Sequence, residues 1–203
     1  MQGLNKQQQI VEAATRRLAH FGMHKTNMAD IAQDLGISKA SLYYYFPDKT
    51  NLYAAVLSSI VEVEMKMTRE TISTFPTCKE RVMELLKRRT TFVKQYYTLL
   101  SGLAGEQNPL GEEKTVILAS FRHRQTLLLQ DILQKGVEDG EIASSLDLYE
   151  TAQLFLVALE GMRFLILNDR DQHLFPSEEE FDKIHGLQQK MSLILLKGLS
   201  PTQ

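Results

Sequence analysis

Residues 27–46 read NMADIAQDLGISKASLYYYF, and their apolar spacing and breaks decide how the rest of the chain is read. Met28, Ile31, Ala32 and Leu35 recur at i, i+3, i+4 and i+7, the period of a helix that buries one face. Thr26 or Asn27 can start this helix, and Gly36 ends it. A second short helix begins after Ser38, whose hydroxyl can cap its first free amides. It must stop before Pro47, because proline lacks an amide donor and disfavours helical geometry in the residue before it. Two helices joined only through Gly36, Ile37 and Ser38 cross closely, which explains small Ala32 at the turn and a shared core of Ile31, Ile37, Leu42 and Phe46. These are the proportions of a helix-turn-helix.

The outward side of the second helix carries Lys39, Ser41, Tyr43, Tyr44 and Tyr45. A cation, a hydroxyl and three amphipathic rings within seven positions can pair with phosphates, bond to base edges and pack on thymine methyls. Three consecutive tyrosines cannot all be core, and Tyr44 can pack its ring while exposing its hydroxyl. Charge points the same way: residues 1–50 hold six Lys/Arg against four Asp/Glu, while the whole chain has a net charge of −2. A phosphate-binding face needs positive charge only locally.

Outward from this stretch the chain reads as helices throughout. Upstream, Ile10, Ala14, Leu18 and Phe21 mark one face of a helix capped at Asn5, with Gln8 three positions on, and stopped at Gly22. Downstream, Asp48 can cap a fourth helix, and longer segments follow near 49–72, 78–103, 112–138, 147–168 and 178–199. Thr77 with Glu80 and Ser177 with Glu180 have capping-box spacing, Gly136 and Gly140 flank a stop, and SGLAGEQNPLG at 101–111 is a loop or break. The expectation is an all-α chain: a three-helix DNA-binding domain at 1–49 and a larger helical ligand-binding and dimerisation domain at 50–203.

Composition narrows the class. At 203 residues, 43% hydrophobic and 24% charged, the chain resembles an ordinary soluble protein and can bury a sizeable core. The lone Cys78 cannot form an internal disulfide and has no second thiol or close His to share a metal, so a reducing cytoplasm is expected and no metal or cofactor. LFLVALEGMRFLIL at 154–167 is broken by Glu160 and Arg163, and MQGLNKQQQI has no signal pattern, so neither a membrane span nor secretion is expected. With no HExxH, no Gly-rich phosphate loop and no GxSxG, no catalytic constellation is present, and an enzyme is disfavoured. A helical adaptor using the tyrosines for protein contact is a further alternative.

GISKASLYYYFPDK, from Gly36 to Lys49, resembles the signature of the tetracycline-repressor (TetR) family. In that signature Gly, a short turn, a cap Ser, Lys, a small residue, Ser or Thr and then Leu-Tyr with an aromatic pair lead to Phe, followed three positions later by Lys. AATRRLAHFGMHKTNMADIAQDLG is similar to the family's first two helices. The resemblance implies phosphate contacts from Thr26, Ser41, Tyr43 and Lys49, with Ser38 as the cap and base-edge contacts from Lys39, Ala40 and Tyr45. The sequence departs from the family's frequent choices at Asn27, Ala29, Ala40 and Tyr45. The resemblance further implies a homodimer through the last two long helices, a pseudo-palindromic double-stranded operator and a small-molecule effector.

For the second domain, LYETAQLFLVALEGMRFLIL and MSLILLKGL are apolar over more than one stripe, which suits helices buried in a subunit and against a partner; Gly161 and Gly186 could permit close approach. Met65, Phe92, Tyr96, Phe121 and Met162 are candidates to line an effector pocket, since thioethers and rings suit an apolar or amphiphilic ligand. Core packing is the plainer role for each. Glu160, Arg163 and His123 could orient a ligand, though Glu160 and Arg163 have the spacing to pair with each other, and the KRR cluster at 87–89 reads as a solvated face.

Overall fold

The computed structural model describes residues 5–101, 110, 113–168 and 176–201. Among these, eight helices and no strand are found: α1 Lys6–Phe21, α2 Met28–Asp34, α3 Lys39–Tyr45, α4 Lys49–Ile72, α5 Cys78–Ser101, α6 Glu113–Glu138, α7 Leu148–Asn168 and α8 Glu178–Leu199. The all-α reading holds. Apart from Ser101 and Leu110, the expected break at 101–111 lies outside the described residues. The chain forms two compact units, Met1–Glu64 with Gln95–Phe121 and Met65–Lys94 with Arg122–Gln203, so α4, α5 and α6 each contribute to both.

In the first unit each short helix is closed by its own sequence. Asn5 and Gln8 exchange side chain-to-backbone bonds at 2.9 and 3.0 Å to start α1. Ile10, Ala13, Ala14 and Leu18 are its buried face, and the Gly22 amide ends it on the Leu18 carbonyl. The buried Tyr53 of α4 donates its hydroxyl to the carbonyl of Leu99 in the last turns of α5. Just upstream, α5 is kinked where Tyr96 leaves helical geometry, at φ −110° and ψ 17°.

The second unit is built on a continuous apolar cluster including Val82, Leu86, Leu129, Leu133, Phe155 and Leu159. Arg81 fastens the turn between α4 and α5: its Nε donates to Phe75 O at 2.9 Å, its Nη2 to Pro76 O at 3.0 Å, and its Nη1 to Asp139 at 3.3 Å. α8 is joined to α7 by the buried Gln188, whose Nε2 donates to Leu159 O at 2.9 Å. Gly136 gives α6 its closest approach. A Cβ there would lie 2.7 Å from Ile142 Cγ1 and 3.1 Å from the Cys78 Cβ and Sγ.

Candidate nucleic-acid interface

The start of α2, left open between two residues by the sequence, is Asn27. Its side chain accepts from Asp30 N at 2.9 Å, and Asp30 accepts from Asn27 N at 3.2 Å, a reciprocal box that satisfies two otherwise orphaned amides. At the other end Gly36 adopts φ +61°, a conformation that costs a residue with Cβ but not glycine. The Gly36 amide then reaches Gln33 O at 3.0 Å and the Ile37 amide reaches Ala32 O at 3.0 Å, closing the helix as a Schellman motif. The chain is thereby turned to Ser38, whose hydroxyl accepts from Ser41 N at 3.1 Å to begin α3. Asp48 caps α4 in the same way, accepting from Asn51 N at 2.7 Å.

This frame leaves a defined outer face. Leu42 and Phe46 are buried, as are Met28, Ile31 and Ala32 of α2, so α3 is anchored on one side. On the other, Lys39, Ala40, Tyr43 and Tyr44 fall at i, i+1, i+4 and i+5 and are all exposed. Tyr44 is 83% exposed, so the half-buried role considered for it does not hold. Its ring stands edge-on to Tyr45, with centroids 5.2 Å apart. Ser41 and Tyr45 are half-buried along one flank of α3, and Ser38 is exposed at its start.

Two predicted contacts are constrained by packing. Thr26 is buried and its hydroxyl donates to Gly22 O at 2.9 Å, so that side chain is already committed to holding the turn between α1 and α2. Lys49 sits in the first turn of α4, half-buried, and burial lowers its pKa from the ordinary lysine value. Arg17 is a positioning residue that the sequence reading did not single out. Its Nη1 contacts both carboxylate oxygens of Asp34 at 2.9 and 2.8 Å, and its Nη2 lies 3.4 Å from Asp30, which ties α1 to α2. The bond to Asp34, followed by the nearby carboxylate charges, raises its pKa against a smaller burial effect. Both carboxylates of α2 thus face a cation, which weakens their repulsion of a phosphate backbone.

Residues 10–56 match the sequence pattern of the bacterial regulatory proteins of the tetR family. The match takes in the helix-turn-helix and its flanks, less than half of the chain. The chain is 29% identical over 130 residues to the HTH-type transcriptional regulator RutR of Escherichia coli, a match covering 57% of this chain and 61% of RutR. It superimposes with a TM-score of 0.85 and 26% identity on a transcriptional regulator from Cytophaga hutchinsonii, over 97% of this chain and 99% of the other. A more distant fold relative is FadR from Bacillus subtilis, solved in complex with stearoyl-CoA: TM-score 0.64, 19% identity, 95% and 99% coverage. The relatives are regulators, and the enzyme alternative falls with them.

The effector candidates are distributed over both units. Met65 and Met162 pack against the core of the second, where Phe92 is buried and Arg163 exposed; Tyr96 and Phe121 belong to the first and are half-buried. Burial, with the nearby Glu64 carboxylate, raises the Tyr96 pKa. Met65 also lines an open recess of about 310 Å³ with Lys66, Arg69, Glu70, Arg124 and Leu127. His123 is exposed and lies 3.3 Å from the Tyr149 hydroxyl.

Two expectations need correction. The KRR cluster is not a solvated face: Lys87 is exposed, but Arg88 donates its Nε to the buried Thr68 hydroxyl at 2.9 Å and Arg89 points inward. Nor is Arg163 the recorded partner of Glu160, which instead pairs with Arg89 Nη2 at 3.5 Å. The signal for Arg89 is present in the sequence: it stands in line with Cys78, Val82, Leu85 and Phe92, all buried, at alternating spacings of four and three. Among the described residues, a Cβ at Gly161 or Gly186 would meet nothing within 4 Å, so neither marks a close approach of helices there.

Proposed function

We propose that this chain is a cytoplasmic transcriptional repressor, in which residues 1–49 read a pseudo-palindromic operator in double-stranded DNA and residues 50–203 bind an apolar or amphiphilic small molecule and dimerise. The observation that carries the DNA reading is the outer face of α3: Lys39, Ala40, Tyr43 and Tyr44 exposed together on a helix whose opposite side is held by Leu42 and Phe46. In this reading Lys39, Ala40, Tyr44 and Tyr45 meet base edges, Ser41, Tyr43 and Lys49 meet phosphates, and Ser38 and Thr26 hold the helix starts at the backbone. No helix among the described residues is long and apolar enough to cross a membrane.

Dimerisation through α7 and α8 is supported by an apolar face left exposed among the described residues. Leu154, Val157 and Phe164 of α7 are 64%, 67% and 61% exposed, and Gly161 lies on the same stripe. Leu187, Leu193 and Ile194 of α8 are exposed as well. A continuous face of this kind marks an association surface. A homodimer would set its two α3 helices about one DNA turn apart, about 34–36 Å. An effector that binds better to a dimer with another spacing draws the population off DNA, by no more than its differential affinity. The α4 helix, which contributes residues to both units, is the proposed lever. The fold relative solved with stearoyl-CoA supports an amphiphilic effector.

The test is a footprint and binding titration on DNA upstream of the chain's own gene, with the Tyr43→Ala, Lys49→Ala double variant beside the wild type. The wild type should protect a palindromic site. Loss of one neutral and one cationic phosphate contact should weaken binding by tenfold or more and reduce the slope of log K against log salt by about 1, the share of Lys49. Unchanged, salt-independent binding would remove the assignment.

A further inference from the structure

Two arginines interrupt the apolar stripes of the second unit. On α5, Arg89 continues the buried line of Cys78, Val82 and Leu85, with buried Phe92 beyond it. On α7, Arg163 continues the line of Ala152, Leu156 and Leu159, spaced by four, three and four; the first three are buried, and Arg163 is exposed. The core-facing side of α7 continues through the half-buried Met162, and Arg163 stands beside it as an exposed cation. Arg89 Nη2 lies 3.5 Å from one carboxylate, Glu160, which precedes Arg163 by three residues on α7.

The Arg89 side chain is only 17% exposed, and its Nη1 is fully buried with no hydrogen-bond partner among the described residues. Leaving a guanidinium donor both desolvated and unpaired is costly, and an aliphatic side chain in this stripe would avoid the cost. Two cations face a single carboxylate, so the cluster is one negative charge short. Burial, reinforced by the like charge of Arg163, lowers the Arg89 pKa against the pull of Glu160. The group stays a cation, since guanidinium is not deprotonated in proteins.

We infer that Arg89, assisted by Arg163, is the docking point for the head group of a carboxylate-ended amphiphile whose apolar chain lies against the neighbouring core side chains. A carboxylate supplies the single missing charge and can accept from Nη1 in the planar geometry that guanidinium favours; a phosphate dianion would overshoot the charge. Glu160 serves as the internal counter-ion of the empty site and competes with the incoming carboxylate for Arg89. The inference rests on the effector-binding reading of residues 50–203 and specifies the effector's polar end.

Decanoate and 1-decanol, matched in chain length, separate the two ideas when titrated calorimetrically into the full chain at neutral pH. Decanoate should bind at least tenfold more tightly than decanol. Arg89→Gln should erase that preference while holding decanol affinity within twofold, and Glu160→Gln should strengthen decanoate binding severalfold without moving decanol. If Arg89→Gln does not fold by circular dichroism, the Glu160→Gln result decides. Equal binding of the two probes to the wild type, or a decanoate preference that neither substitution alters, overturns the carboxylate site and leaves effector binding intact. Failure of both probes to bind overturns both.

Discussion

Tyr53 carries its hydroxyl into the interior of the first unit and places it on the Leu99 carbonyl, and burial pushes its pKa from the ordinary 10.0 up to about 12. The sign of the consequence follows from which state loses the proton first. Below about pH 10 both folded and unfolded chains keep the phenol proton, and the contribution is fully present. Between about 10 and 12 the unfolded chain ionises while the folded one does not, and stability drains away by up to about 3 kcal/mol. Urea unfolding midpoints across pH 8 to 12 check this: Tyr53→Phe should be less stable near neutrality by about 1 to 2 kcal/mol, the range for a lost buried hydrogen bond. Its deficit should shrink or reverse in alkali, because phenylalanine has no proton to lose. At this scale the sequence marks Leu42 and Phe46 as core through their spacing. It does not reveal where the Tyr53 hydroxyl goes, because Leu99 is 46 residues away and no local pattern encodes the pairing.

Among the elements, the short helices are legible because their ends are written locally. Asn5 with Gln8, Asn27 with Asp30, and Ser38 with Ser41 satisfy amides three positions away, so a reader of the sequence holds both partners at once. Helix packing is less legible. Gly136 lies inside α6, where propensity alone would favour alanine by about 1 kcal/mol. Only the fold brings Ile142 and Cys78 to it, at 2.7 and 3.1 Å from a built Cβ. The steric term should win: Gly136→Ala is expected to lower stability by about 1 to 3 kcal/mol, the range for overpacking a filled core, in thermal or urea unfolding. A stabilised variant would mean that α6 shifts freely, contrary to its close contact with the turn at Ile142.

For the whole molecule, the proposed dimer would bury the exposed apolar stripe of α7 and α8 and make the single chain half of the working unit. Val157→Glu or Phe164→Glu places a charge in the proposed interface and should give a monomer by light scattering, with helical content retained. Operator affinity should fall by at least tenfold, because a monomer engages only one half-site. A variant that stays dimeric would move the interface elsewhere. Apolar periodicity, glycine and proline breaks and capping pairs are properties of near neighbours in the chain, and by themselves they determined the helical class, the limits of the helices and the frame of residues 27–46. The tertiary structure alone decided that Thr26 is buried, that Tyr44 projects outward, and that Glu160 serves Arg89 rather than Arg163. Those outcomes depend on which helices meet, and the free energy of a buried hydroxyl or guanidinium is set by partners that sequence distance does not specify.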